Sequence, residues 1–386
     1  MTAPPKPEPM RILYVGESWL GSCARSLAEA LERRDDVRIV RVEEEAWFPR
    51  AGARWRRALA RLATPARMAR FETNLVAKLR ELRPSVFMAF KGTPVRASLL
   101  TRISELGILT ANVYPDCSPH AHGAAHRQAV GAYDLVISTK DFHPPLWRSV
   151  YRYENRCVHV PQGYDPDLHL ASLPASRHDY DVVMVATYRP EYGRLLSSLA
   201  GELDDTRLRI AIGGSGWERA RADLPGRWAF PGPVVGRDYI SLLRRGRICI
   251  APVSRDVIVA GERQPGDVES TRTYELAAAH CFFIHRRTDH VAMLYGHENV
   301  ALFDDAVELA ELIRHYLARP DERARMAAIA HARAVPAFSL DVRAGQIRDV
   351  LAGVLDGRLQ PVIREPASRV HASAVDASDA DVSLGR

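Results

Sequence analysis

Short apolar runs alternate with helical patterns along almost the whole chain, and no other feature narrows the fold as much. Arg11–Val15 (RILYV) ends in Gly16-Glu17-Ser18 and is followed by a helical pattern through Arg34. Val37–Val42, Val86–Phe90 (VFMAF), residues 108–113 (ILTANV) and residues 134–138 (DLVIS) continue the series, with helix-like stretches at 54–82 and after Pro94. After a polar segment from Pro161 through Pro174 the alternation restarts. Tyr180–Ala186, Leu208–Ile212, Ile248–Pro252 and Cys281–His285 read as strands; residues 191–202, 240–245, 271–279 and 306–318 read as helices. Strands that are apolar throughout are buried on both faces, which predicts parallel sheets covered by helices on either side.

The expected architecture is therefore α/β, with two doubly wound units in tandem. A flexible lead-in occupies 1–10, the first unit 11–170 and the second 171–335. A C-terminal helix at 336–364, expected to pack back on the first unit, follows, and then an Ala/Ser/Asp-rich tail, 365–386, expected to be disordered. A chain of 386 residues is long enough for two independent cores. Sheets of this kind bind ligands beyond the carboxyl ends of their strands, so the cleft between the units is the expected site.

Composition removes several classes. The five cysteines are scattered without a C-x-x-C pair, which argues against a disulfide framework or a cysteine zinc site. The start, MTAPPKPEPM, has no apolar core of a signal peptide, and no apolar stretch is long enough to span a membrane; the expected location is cytoplasmic. The net charge of +6 is modest, and the basic stretch Arg50–Arg70 contains only Trp55 as a stacking aromatic, so nucleic acid is not an expected partner. That stretch holds Arg50, Arg54, Arg56, Arg57, Arg61, Arg67 and Arg70 and no acid. It reads either as a solvated helix or as a peripheral contact with the anionic inner face of a membrane. Only four of the 53 basic residues are lysine, none after Lys140, so an anion site in the second unit has to use arginine.

The window Gly266-Asp-Val-Glu-Ser-Thr-Arg-Thr-Tyr-Glu-Leu-Ala-Ala-Ala279 carries the most chemistry. It opens a helix just after an apolar strand, with Ser270 or Thr271 as N-cap, so free amides and the positive helix end suit a phosphate or diphosphate. Arg272 adds a permanent charge, and Glu275, one turn in, is placed to accept both hydroxyls of a ribose.

This run, STRTYELAAAH, together with YDLVISTK, YDVVMVA and ELIRHYLARPDERARMA in matching order, resembles the CgeB-like (spore maturation protein) glycosyltransferases, relatives of the retaining family marked by an E-x(7)-E motif. The resemblance runs over about residues 85–335. It implies the GT-B fold, two Rossmann-like domains with a nucleotide-sugar donor held by the second, and sugar transfer that uses no metal and no cofactor besides the donor. It also implies roles. Glu275 matches the second glutamate of the motif, at the donor ribose, and Asp267 stands at the first, facing the donor sugar; Glu269 competes with it. Arg189 and Arg194 occupy the places of a diphosphate clamp, the second normally a lysine. Thr271, Arg272 and Thr273 lie at the phosphates, and Ser254, after the ICIAP strand, near the nucleotide.

Other residues are candidates on their own. Gly213-Gly214-Ser-Gly-Trp217 follows a strand, where glycine lets a ligand approach and Trp217 is placed to stack on a base. In the first unit a strand ends with Asp116, His120 and His122. By the resemblance Asp116 matches an aspartate that the CgeB-like proteins carry just past this strand, facing the cleft, where a carboxylate or histidine orients or deprotonates an acceptor hydroxyl. A loop-capping aspartate with solvated histidines also explains them, and the histidines lack a complete metal-ligand set. Glu17 and Ser18, with Gly21, line the first strand–helix turn on the acceptor side, a position that a plain N-cap by Ser18 also explains.

The expected function is transfer of a sugar from a nucleoside diphosphate sugar to a hydroxyl acceptor (saccharide, lipid-linked or protein), with retention. A nucleotide-sugar epimerase or phosphorylase on the same fold, and a catalytically silent binding protein, remain alternatives. A dehydrogenase is disfavoured because no G-x-G-x-x-G follows the first strand.

Overall fold

The computed structural model describes residues 8–359 except 49–53, 172–177, 204–206 and 260; for residues 54–63 and 121 it describes the backbone alone. Its first sheet contains β1 (Met10–Gly16), β2 (Val37–Glu43), β3 (Val86–Phe90), β4 (Leu109–Tyr114), β5 (Leu135–Ser138) and β6 (Arg156–His159), in the order β2-β1-β3-β4-β5-β6. All neighbours are parallel. In β3 the first four residues are buried and in β5 all four, the two-faced burial that the unbroken apolar runs predict.

The second sheet is built the same way. It contains β7 (Tyr180–Val185), β8 (Ile210–Gly213), β9 (Ala229–Gly232), β10 (Gly246–Ala251), β13 (Phe283–Arg286) and β14 (Ala301–Phe303), in the order β14-β13-β10-β7-β8-β9. Its strands are likewise parallel. Between β10 and β13 the chain makes an antiparallel hairpin, β11 (Asp256–Val259) with β12 (Glu262–Pro265). The two doubly wound units expected from the sequence are present, and they face one another across a cleft.

Three connections tie the units together. The helix Leu340–Leu355 follows the second unit in sequence, yet its Ala344, Ile347, Leu351 and Val354 are buried in the first unit's core with Leu27 and Leu31. The hairpin does the reverse, placing Val257 and Val259 in the first unit's other core cluster with Phe142, Trp147 and Tyr151. Finally, the two backbones touch at Gly21 and Gly236. A Cβ on Gly21, whose φ is +93°, would sit 2.6 Å from the Gly236 nitrogen. The close approach that Gly21 permits is therefore between the units themselves.

Pro320 starts a new helix, Pro320–Ala337, at its first position. The helix at Arg54–Leu82 is present, but of the seven arginines in 50–70 only the side chains of Arg67 and Arg70 are described, so the membrane-contact expectation lies outside the described residues. So do most of the lead-in, the 365–386 tail and residues 360–364. Among the described residues, no helix is long and apolar enough to cross a membrane.

Candidate active site

Two adjoining cavities open into the cleft. The first, about 320 Å³, is lined from the second unit by Gly214, Tyr239, Thr271, Arg272 and Glu275, and from the first by Trp19 and Gly21. The second, about 410 Å³, is lined by Glu17, Lys91, Asp116, Thr139, Ser270 and Arg343 among others. Trp19, Gly21, Cys23 and Thr271 line both, so the start of the Thr271–Ala278 helix stands at their junction.

That helix start is well fixed. Ser270 is the N-cap in extended conformation, and its backbone N–H donates to Thr273 Oγ1 at 3.0 Å. The Thr273 amide turns back to the Ser270 carbonyl at 3.0 Å, while the amides of Thr271 and Arg272 precede any helical acceptor and carry the positive helix end, so an anion at the junction is favoured. Arg272 donates from Nη2 to the Pro252 carbonyl at 2.9 Å, while its buried Nε has no acceptor.

Glu275 has one oxygen committed. Tyr239 donates its hydroxyl to Oε2 at 2.7 Å, and burial followed by the Glu275 charge pushes that phenol well above its usual value. The other oxygen lies 3.8 Å from His169 Nε2, beyond hydrogen-bond reach, and that nitrogen also lacks a partner. Gly214, on the same cavity, has φ +120°; an added Cβ would stand 2.0 Å from the Ala186 carbonyl oxygen, so only glycine keeps this wall in place.

In the second cavity Asp116 accepts from His122 Nε2 at 2.6 Å and pairs with Lys91 Nζ at 3.0 Å. Burial opposes ionisation here, but the His122 bond and the Lys91 charge outweigh it and hold the carboxyl well below its ordinary range. A carboxylate held that low is a weak base, so it orients a hydroxyl better than it deprotonates one.

The structure corrects several expectations. Trp217 is 3% exposed and belongs to the second unit's core; its indole N–H donates to the Ala186 carbonyl at 2.7 Å, so neither ring face is free to stack on a base. Thr273 is fully buried against His285 Nε2 at 2.8 Å and points away from the cavities. Ser254 is buried too, donating to Glu191 Oε1 at 2.5 Å. Glu269, the competitor to Asp267, is buried and accepts from Tyr274 and from His290 Nε2, the latter at 2.6 Å. On the acceptor side, Ser18 gives both its N–H and its hydroxyl to Glu45 Oε2, and the cap of the Cys23–Glu32 helix is Ser22 instead. His120 packs edge-on against Tyr151 and Tyr153 and lines neither cavity.

Arg189 and Arg194 do not act as a pair. Arg189 is exposed; its charge acts on the Cys117 thiol, and the Asp267 carboxylate is among the groups that help keep the guanidinium protonated. Arg194 lines a separate cavity of about 380 Å³ with Arg255, Arg263 and Arg286. Asp267 lines neither cleft cavity; it is engaged by Lys140. Tyr239, His169, Trp19 and Lys91 were not singled out by the sequence. Only the position of Lys91, directly after an apolar strand, offered a signal.

Residues 189–349 match the Glycosyl transferase-like family model, Glyco_trans_1_2. No curated protein is significantly similar to the chain. Among solved structures, a sucrose-phosphate synthase from Thermosynechococcus elongatus superposes with a TM-score of 0.60 at 15% identity, covering 90% of this chain and 100% of that one. HepE of Anabaena, solved with UDP-glucose, gives 0.59 at 16% identity over 89% and 100%. The UDP-GlcNAc 2-epimerase of Neisseria meningitidis, bound to UDP-GlcNAc, gives 0.50 at 10% over 89% and 100%. The fold is GT-B. Residues 189–349 of that fold resemble a glycosyl transferase-like domain.

Proposed function

We propose that the protein transfers a sugar from a nucleoside diphosphate sugar to a hydroxyl acceptor, with retention and without a metal ion. The observation that carries this reading is the Thr271–Ala278 helix. Its start, Arg272 and Glu275 share one cavity, offering a cationic seat for a diphosphate and, one turn deeper, a carboxylate oxygen for a ribose. The sugar then extends past Thr271 into the adjoining cavity, where Lys91–Asp116–His122 faces the acceptor.

The main catalytic contribution in this arrangement is electrostatic. Negative charge grows on the departing diphosphate, and Arg272 with the helix amides is already in place to receive it. Arg189, at the cleft end of β7, is the clamp residue left to assist, Arg194 facing another cavity. UDP-glucose is the first donor to test, since a structure of this fold holds it. The deciding experiment measures donor turnover with Glu275→Ala and Arg189→Ala, each checked for folding. Loss in both supports the site; near-normal turnover in both removes it. Product analysis with and without acceptor separates transfer from the epimerase reading, because an epimerase alters the sugar without an acceptor.

A further inference from the structure

The segment joining β10 to the Thr271–Ala278 helix belongs to the second unit in sequence but is anchored in the first. One anchor is apolar: Val257 and Val259, 7% and 2% exposed, complete the first unit's core. The other is ionic. Lys140, from the turn after β5, places Nζ 2.8 Å from Asp267 Oδ1, with the two side chains only 6% and 9% exposed. Cys117 donates its thiol to the other oxygen, Oδ2, at 3.1 Å. Asp267 stands three residues before the N-cap Ser270, at the place where the resemblance expects a sugar-facing acid.

We propose that Lys140 is a positioning residue: from the first unit it holds Asp267, and so seats the start of the Thr271–Ala278 helix at the junction of the two cleft cavities. The Lys140 side is rigid. Its N–H donates to Ser138 Oγ at 2.9 Å, Ser138 pairs with His143 Nδ1 at 2.6 Å, and His143 Nε2 donates to the Cys117 carbonyl at 3.0 Å. Burial holds His143 down at about 4, so it stays neutral and keeps this tautomer. The Asp267 side is equally fixed: its N–H donates to the Ser254 carbonyl, and that of Gly266 to the Arg255 carbonyl, both at 2.7 Å. With both ends braced, the ion pair transmits the position of the first unit to the anion seat. Burying two charges is costly and is retained here where register matters, not where packing alone would serve.

The proposal rests on the Glu275 cavity being the donor site, and its test keeps the two separable. Lys140→Met alone leaves a buried carboxylate and risks misfolding, so the informative protein is the neutral double variant Lys140→Met/Asp267→Asn, compared with Lys140→Met, Asp267→Asn and the wild type. Two quantities are read: hydrogen exchange of the amides at 266–273, and calorimetric affinity for UDP. In the double variant, with its melting temperature near wild type, exchange at 266–273 rises and UDP affinity falls about ten- to a hundredfold, as expected when a binding group loses its seat. Wild-type exchange and affinity in a folded double variant would overturn the proposal, leaving the pair with charge compensation only. A double variant that unfolds is read beside Asp267→Asn, which keeps Lys140 but removes the tether's charge; unchanged exchange there also counts against it. If the wild type binds no nucleotide, the donor-site reading fails, while the exchange data still decide the tether.

Discussion

Tyr239 and Glu275 sit on different helices of the second unit and meet through a 2.7 Å hydrogen bond that fixes the carboxylate in the cleft. Because Tyr239 takes Oε2, Oε1 is left facing the cavity, and the phenol sets its direction. Tyr239→Phe is therefore expected to weaken nucleotide binding by about tenfold without unfolding the protein, the scale of one lost hydrogen bond to a charged group. Glu275→Ala is expected to abolish detectable donor turnover. Calorimetry with UDP on both variants checks the order; a Tyr239→Phe variant with unchanged affinity would break the link between phenol and site.

Arg272 and Arg194 are expected to part company. Arg272 stands in the Glu275 cavity with an unpartnered buried Nε, whereas Arg194 lines the cavity shared with Arg255, Arg263 and Arg286. On the proposed donor site, Arg272→Ala should lower affinity for UDP far more than for uridine, since that site sets the diphosphate against it. Arg194→Ala should leave both within about twofold, the spread of ordinary surface substitutions. Equal losses from the two variants would restore Arg194 to the diphosphate.

Much of the fold was legible because a strand buried on both faces has to be apolar throughout. VFMAF, DLVIS and YDVVMV say so directly. Less was legible where that constraint relaxes. β6 (RCVH), half-buried along its length, carries no such run, and β14 (ALF), though apolar and buried, is only three residues long. The β11–β12 hairpin was hidden for another reason: Val257 and Val259 are apolar for the sake of a core built mainly from residues 13–157, a partner no local pattern names.

The site divides similarly. The 271–278 helix start was readable, because capping and the placement of Glu275 are local properties. Trp217 was misread because Gly216, at φ +85°, turns the chain so that the indole goes inward to Ala186. Asp267, expected to face the donor sugar, is held by Lys140 from the other unit instead, and no spacing reports a contact between units.

His290 and Glu269 give a pH dependence with a definite sign. The hydrogen bond that His290 donates to Glu269 raises the His290 pKa above its ordinary value, against a smaller opposing effect of burial. A raised folded pKa means the native state binds the proton more tightly than the unfolded chain. The stability contributed is thus fully present below the unfolded value of about 6.5 and is lost as pH rises through the folded value. The gap in urea stability between wild type and His290→Ala should be largest near pH 5.5 and shrink towards pH 8.5. A gap that grows with pH would show that the imidazole is bound neutral.

Gly214 and Gly107 offer a matched pair on backbone constraint, since both have positive φ, +120° and +73°. At Gly107 an added Cβ meets nothing within 4 Å, so Gly107→Ala costs only the left-handed conformation, about 1 kcal/mol. At Gly214 the same Cβ would lie 2.0 Å from the Ala186 carbonyl oxygen and 3.2 Å from the Thr187 nitrogen, so β8 has to move away from the end of β7. The bond from Gly214 N–H to the Gly232 carbonyl, 2.8 Å, is then strained as well. Gly214→Ala should cost about 3 kcal/mol or more, the scale of a clash added to a strained backbone. Because the moved wall belongs to the Glu275 cavity, the variant should also bind UDP more weakly at temperatures where it is folded, whereas Gly107→Ala should bind it normally. Thermal unfolding and calorimetry on the two variants measure both effects; equal destabilisation would mean that the β8 end gives way more easily than the contact distances require.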